Sequence, residues 1–292
     1  MLKPVSVVAL SLMLSGVVLG QSARPTMTAL YRTFMIQTSI ERGTAFSLDI
    51  DNREYWVTAK HLFTGKKTGP AGEFKEKQVV AALLAQSGEE SQGQDQRWVS
   101  QTFIVIDPGK DIDILILAPT KPLLPTELSL KARSEGIGLG ADCEFLGFPY
   151  GGGWKAHMDT GATIWLPYVK HCTVSAMITD GGRRVWVLDG INNEGFSGGP
   201  VLFGTGADQN VFAVISGFHQ EPLDVLPAPE PGASNTGRIP PPPPLQGQAP
   251  DQPKQSKQIV NANSGFIVAF DIAAAVDAIH STPVGPTREQ KQ

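Results

Sequence analysis

The chain is short of cysteine, of charge and of long hydrophobic runs. It has 292 residues and only two cysteines. That excludes a small disulfide framework and any cysteine-rich zinc module. Charged residues make up 18%, too few for a disordered chain. Lys plus Arg number 24 against 28 Asp plus Glu, a formal net charge of −4. No basic block stands out, so nucleic-acid partners, which need a clustered positive surface, are not expected. No run after the first twenty residues is apolar and long enough to span a membrane. There is no internal repeat. Abundant instead are apolar residues at 41%, enough for a real core, with 31 glycines and 23 prolines that mark turns.

Residues 1–20 read as a secretory signal peptide. Lys3 precedes a fifteen-residue apolar run, Val5 to Leu19, and Val18 and Gly20 are small residues suited to cleavage after Gly20. The run is short of the roughly 20 residues of a membrane span. The expectation is a secreted or periplasmic protein with no membrane attachment after cleavage. Oxidising surroundings then allow Cys143 and Cys172 to pair.

The rest alternates short β-branched and aromatic runs with turn signals. Candidate strands are Thr33–Ile40, Thr44–Ile50, Tyr55–Thr58, Phe103–Ile106, Asp113–Leu117, Cys143–Gly147, Cys172–Ile178, Val185–Leu188, Val201–Phe203, Val211–Ser216 and Phe266–Phe270. This pattern predicts an all-β sandwich or barrel. One helix is expected, capped by Asp271, over Ile272–Ile279. Residues 222–258 hold eleven of the 23 prolines, including Pro240–Pro244. They read as a disordered or polyproline-like insert, suited to docking on a polyproline-binding partner at 240–244. Residues 282–292 read as a flexible tail.

Three motifs carry chemistry. Gly195-Phe196-Ser197-Gly198-Gly199-Pro200 sets a serine in a tight turn, where the N–H groups of Gly195 and Ser197 can converge on one oxyanion. Thr58-Ala59-Lys60-His61 ends a strand with a histidine suited to act as general base. Asp113-Ile114-Leu115-Ile116-Leu117 brings a carboxylate to a buried strand, where it needs a partner such as an imidazole N–H. Asp111, two residues earlier on the same strand face, competes for that role.

Together these motifs resemble the trypsin/chymotrypsin-like serine peptidases, closest to the compact bacterial members and the high-temperature-requirement protease domain. The order His61, Asp113, Ser197 is that family's order. Gly43-Thr44-Ala45-Phe46 and Gly147-Phe148-Pro149-Tyr150-Gly151 are similar to its other signatures, and Pro122, nine residues after Asp113, favours that aspartate over Asp111. The resemblance implies two antiparallel six-stranded β-barrels, over residues 30–125 and 136–281, with a short C-terminal helix. It implies a serine endopeptidase acting on protein or peptide substrates through an acyl-enzyme intermediate, with no metal and no cofactor. Ser216, Gly217 and Phe218 would line the substrate strand, and Ile191 would stand at the pocket base.

The chain departs from the family in several places. Phe196 replaces the aspartate that digestive relatives pair with a newly cut N-terminus. Ile191, six residues before Ser197, is not the pocket-base carboxylate of a trypsin, so cleavage after a small or apolar residue is expected rather than after Lys or Arg. Lys60 stands where a small residue is usual and reads as a solvated charge. Two other functions fit parts of the pattern. One is a catalytically silent binding protein on a protease scaffold. The other is an α/β-hydrolase-type esterase, whose nucleophile elbow also matches Gly195-x-Ser197-x-Gly199 but needs a helix after the serine.

Overall fold

The computed structural model describes residues 24–66, 72–84, 87–88, 98–126, 129–157, 163–180, 182–225 and 258–288. The expected signal peptide, its cleavage point and Pro240–Pro244 lie outside the described residues. Among the described residues no helix is long and apolar enough to cross a membrane.

The strands are β1 (Thr33–Gln37), β2 (Arg42–Ile50), β3 (Arg53–Thr58), β4 (Gln78–Leu84), β5 (Ser87–Gly88), β6 (Trp98–Ile106), β7 (Leu115–Pro119), β8 (Lys131–Ala132), β9 (Asp142–Gly147), β10 (Trp154–His157), β11 (Thr163–Leu166), β12 (Tyr168–Asp180), β13 (Arg183–Asp189), β14 (Pro200–Phe203), β15 (Asn210–Val225) and β16 (Gln258–Asp271). The helices are α1 (Met27–Tyr31), α2 (His61–Thr64) and α3 (Ala273–Ser281). The first barrel closes in the order β1-β2-β3-β7-β6-β4, with β4 paired back onto β1. The second runs β14-β9-β12-β13-β16-β15 and closes through β14 on β15, with β8 added in parallel to β15. All ladders within the two rings are antiparallel. This is the two-barrel, chymotrypsin-like architecture.

Local chemistry explains the elements. Asp51 and Asn52 both take positive φ, 49° and 59°, between β2 and β3, the geometry a two-residue hairpin turn favours and Asx residues tolerate. Every residue of β7 is buried, as a strand packed on both faces requires. In β4, Val79 and Ala81 are buried while Val80 stands out in solvent, the alternation of a half-buried strand.

Among the described residues three large hydrophobic clusters organise the interior, beside a small one of Met35, Leu84 and Phe148. One fills the first barrel around Phe34, Trp56, Phe103 and Leu117. One fills the second around Phe145, Trp186, Phe196 and Phe212. The third joins them. It takes Phe46, Leu48 and Ile116 from the first barrel, Leu146, Leu202 and Val214 from the second, Ala29 from α1, and Ala275 and Ile279 from α3.

The ends of the candidate elements shift. The helix begins one residue later than expected and runs two further. Ile272 rather than Asp271 takes the N-cap position, and Asp271, one residue earlier, accepts the Ala273 N–H at 2.9 Å. The insert is narrower than 222–258, because Leu223, Asp224 and Val225 pair with Val260, Ile259 and Gln258. The tail is not flexible over its first residues. Thr287 bridges to Arg53, and Arg288 pairs with Asp49 at 2.7 Å and with buried Glu54 at 2.9 Å. A buried carboxylate needs a cation, and this one draws the tail down.

Candidate active site

His61 opens α2, directly after β3 ends. Its position is fixed twice by one carboxylate. The His61 backbone N–H donates to Asp113 Oδ1 at 2.8 Å, and its Nδ1 meets Asp113 Oδ2 at 2.6 Å. Both side chains are buried. A carboxylate only accepts, so Nδ1 carries the hydrogen and Nε2 is left to accept. The Asp113 carboxylate takes a third bond, at Oδ2, from Ser216 Oγ at 2.5 Å. Ser216 therefore belongs to the setting of Asp113 through its hydroxyl, and its backbone carbonyl accepts from Ser197 Oγ at 3.3 Å.

Asp113 and Asp111 precede β7 rather than sharing a strand face, because β7 starts only at Leu115. Asp111 turns to Arg183 at 2.5 Å and is not part of this cluster.

Ser197 sits in the turn between Gly195 and β14. Gly195 has φ +99°, and a Cβ there would lie 2.2 Å from the Phe148 carbonyl oxygen. Gly198 has φ +84°, and its Cβ would meet the Thr44 carbonyl oxygen at 2.2 Å. Both positions demand glycine by conformation and by space. Phe196 points inward, fully buried, and packs edge-on against Phe145 with centroids 5.0 Å apart. Among the described residues the amides of Gly195 and Ser197 donate to no protein acceptor.

A cavity of about 780 Å³ brings these groups together. His61, Gly195, Ser197, Ser216, Gly217 and Phe218 all line it. Ile191 does not; it is 55% exposed, and its buried neighbour Asn192 lines the cavity instead. Asn192 reaches the Gly217 carbonyl at 3.4 Å. Arg42, Asn193, Glu194 and His219 also line the cavity, and sequence reasoning missed them. Asn192, Asn193 and Glu194 are adjacent to the serine motif, which is the signal that could have found them. Arg42 carries no local signal.

Lys60 is not solvated. It is fully buried, with Nζ 2.6 Å from Asp107 Oδ1, 2.7 Å from the Gly109 carbonyl and 3.1 Å from the Gly72 carbonyl. Asp107 also accepts the Phe74 N–H at 2.7 Å and the Gly109 N–H at 3.0 Å. This node ties the start of α2 to the loop that leads to Asp113.

Cys143 and Cys172 are register partners on β9 and β12. Both thiols are free and buried, and no disulfide joins them. Burial in the apolar barrel, with the other thiol adjacent, pushes the Cys172 thiol up and suppresses the thiolate that disulfide formation needs.

The chymotrypsin-like pair of barrels thus brings a serine, a histidine and a carboxylate to one cavity and its border. No protein-family model matches the chain, and no curated protein sequence does. Solved structures that resemble it include the Rv3671c protease of M. tuberculosis in its inactive form, at 15% identity over 90% of this chain and 98% of that one, with a TM-score of 0.48. The HtrA-type protease AlgW with tripeptide is 17% identical over 87% of this chain, with a TM-score of 0.48. The match spans 60% of the AlgW chain. Deg5 is 18% identical over 63% of this chain and 78% of that one, with a TM-score of 0.38.

Proposed function

We propose that the chain is an exported serine endopeptidase acting on protein or peptide substrates in the periplasm or outside the cell. One observation carries the reading. A single carboxylate fixes both the backbone and the ring of His61, and the cavity that His61 faces holds Ser197 beside two amides with no protein acceptor.

In this reading Ser197 Oγ attacks the scissile carbonyl carbon. At rest its hydrogen donates to the Ser216 carbonyl; attack requires that hydrogen to pass to Nε2 of His61 instead. Asp113 stabilises the imidazolium that results. The Gly195 and Ser197 N–H groups receive the oxyanion, and two preset donors of this kind are worth several powers of ten in rate. His61 then gives its proton to the leaving amine. Water, deprotonated by the same nitrogen, releases the acyl group from Ser197. Asn192, uncharged, supports cleavage after a small or apolar residue. The esterase alternative fails on the fold, because the serine turn leads into strand β14 rather than a helix.

The test is a fluorophosphonate probe on the purified protein beside a His61→Ala variant, with adducts mapped by mass spectrometry. A Ser197 adduct in the wild type and none in the variant is expected. Unlabelled wild type would sink the peptidase reading and favour a silent binding scaffold. Given a mixed peptide library, the same preparation reports the residue before the cut.

A further inference from the structure

The loop Ile191–Gly195, which presents one of the two free amides, lies in no strand or helix. Phe196 beside it is apolar and supplies no ionic anchor. Every carbonyl of the loop is nevertheless held. Gly195 O accepts from Thr44 Oγ1 at 2.7 Å, Glu194 O from the Tyr150 N–H at 2.8 Å, and Asn193 O from the Phe196 N–H at 3.3 Å. Asn192 O accepts from Asn263 Nδ2 at 2.5 Å. Ile191 O accepts from Lys170 Nζ at 2.6 Å.

Lys170 is the one cation among these donors. It reaches across from β12, and its ammonium also donates to Asn193 Oδ1. The other end of that carboxamide, Nδ2, bonds the Tyr150 hydroxyl at 3.1 Å. The ammonium lies 5.4 Å from the centre of the Phe196 ring, within cation–π range. A charge-assisted bond is roughly twice as strong as a neutral one. Partial burial lowers the Lys170 pKa through desolvation, so the ammonium has given up hydration to sit against the loop. In a trans peptide the carbonyl and the following N–H point in opposite directions. Holding Glu194 O on Tyr150 therefore turns the Gly195 N–H away from Tyr150, and Lys170 braces that turn through Asn193.

We propose that Lys170 is a positioning residue for the oxyanion donor Gly195, pinning the loop Ile191–Gly195 from the neighbouring strand β12. This rests on reading Ser197 as the nucleophile. It explains how the loop stays ordered with an apolar residue at 196, without an activating cut to supply a cation.

The test compares wild type, Lys170→Met and Lys170→Arg. Methionine keeps an unbranched apolar stem and removes the donor. Fluorophosphonate labelling of Ser197 and the kcat of peptide hydrolysis should both fall on the order of tenfold to a hundredfold in Lys170→Met, toward the loss seen when an oxyanion donor is removed. KM should hold and Lys170→Arg should recover most of the rate. Hydrogen exchange read on peptides covering 190–198 should speed up in Lys170→Met and not elsewhere in the second barrel. Wild-type labelling rate and unchanged exchange in Lys170→Met overturn the proposal, as does a loss that spreads through the whole barrel. The exchange readout does not depend on Ser197 reacting. Faster exchange in Lys170→Met with an unlabelled wild type upholds the pin and sinks the nucleophile reading.

Discussion

Lys60 shows how far one side chain's surroundings can override its type. Its ammonium is fully buried and meets one carboxylate and two carbonyls. Breaking a buried pair by removing one partner costs about 3–5 kcal/mol, because the other charge is stranded. Lys60→Met should lose stability on that scale in urea unfolding, and adding Asp107→Asn should restore part of it. An undiminished midpoint in the single variant would mean the pair is solvated in solution. Glu144 poses the opposite problem. It is 8% exposed, its Oε2 has no hydrogen-bond partner among the described residues, and burial raises its pKa to about 7 despite the opposing charge of Arg24. The raised folded pKa means the native state holds a proton that the unfolded chain has lost. Its cost to stability is therefore absent below about pH 4.5, grows as pH rises through the window to about 7, and is complete above it. Glu144→Gln should match the wild type in melting temperature at pH 4 and exceed it by a few degrees at pH 8. An equal gain at both values would reject the titration.

At the scale of elements, the fold was legible wherever signals are local. The serine turn announces itself within six residues, although the carbonyls that exclude a side chain at 195 and 198 belong to distant Phe148 and Thr44, and Asp271 lies two residues from the helix whose first N–H it accepts. The run Gln78–Leu84 is different. Its Ala-Ala-Leu-Leu end suits helix and strand alike, and only pairing with β1 and β6 makes it a strand. The spacing to Pro122 already favours Asp113 over Asp111, but the cation that draws Asp111 aside, Arg183, lies seventy-two residues downstream of it. The burial of Lys60 depends on acceptors at 72, 107 and 109. Nothing near Arg288 foretells its docking, since its partners Asp49 and Glu54 lie at the other end of the chain. Arg288→Ala removes the cation from buried Glu54, though Trp56 Nε1 and the Leu123 and Leu124 amides still bond that carboxylate. A loss of about 1–3 kcal/mol is expected, with the tail newly open to a carboxypeptidase. Resistance equal to the wild type would show that the strand bridge at Thr287 alone holds it.

Across the whole molecule, the proposed chemistry is divided between the halves. His61 and Asp113 come from the first barrel, and Ser197, Gly195 and Ser216 from the second. The second ring closes only when β16 (Gln258–Asp271) joins β13 to β15. The Ser216 hydroxyl that completes the Asp113 setting lies on β15, which depends on that closure. In the proposed reading the base and acid thus belong to a barrel that closes without β16, and the nucleophile to one that does not. Loss of β16 should therefore cost the site its serine half while leaving the first barrel's His61–Asp113 pair formed.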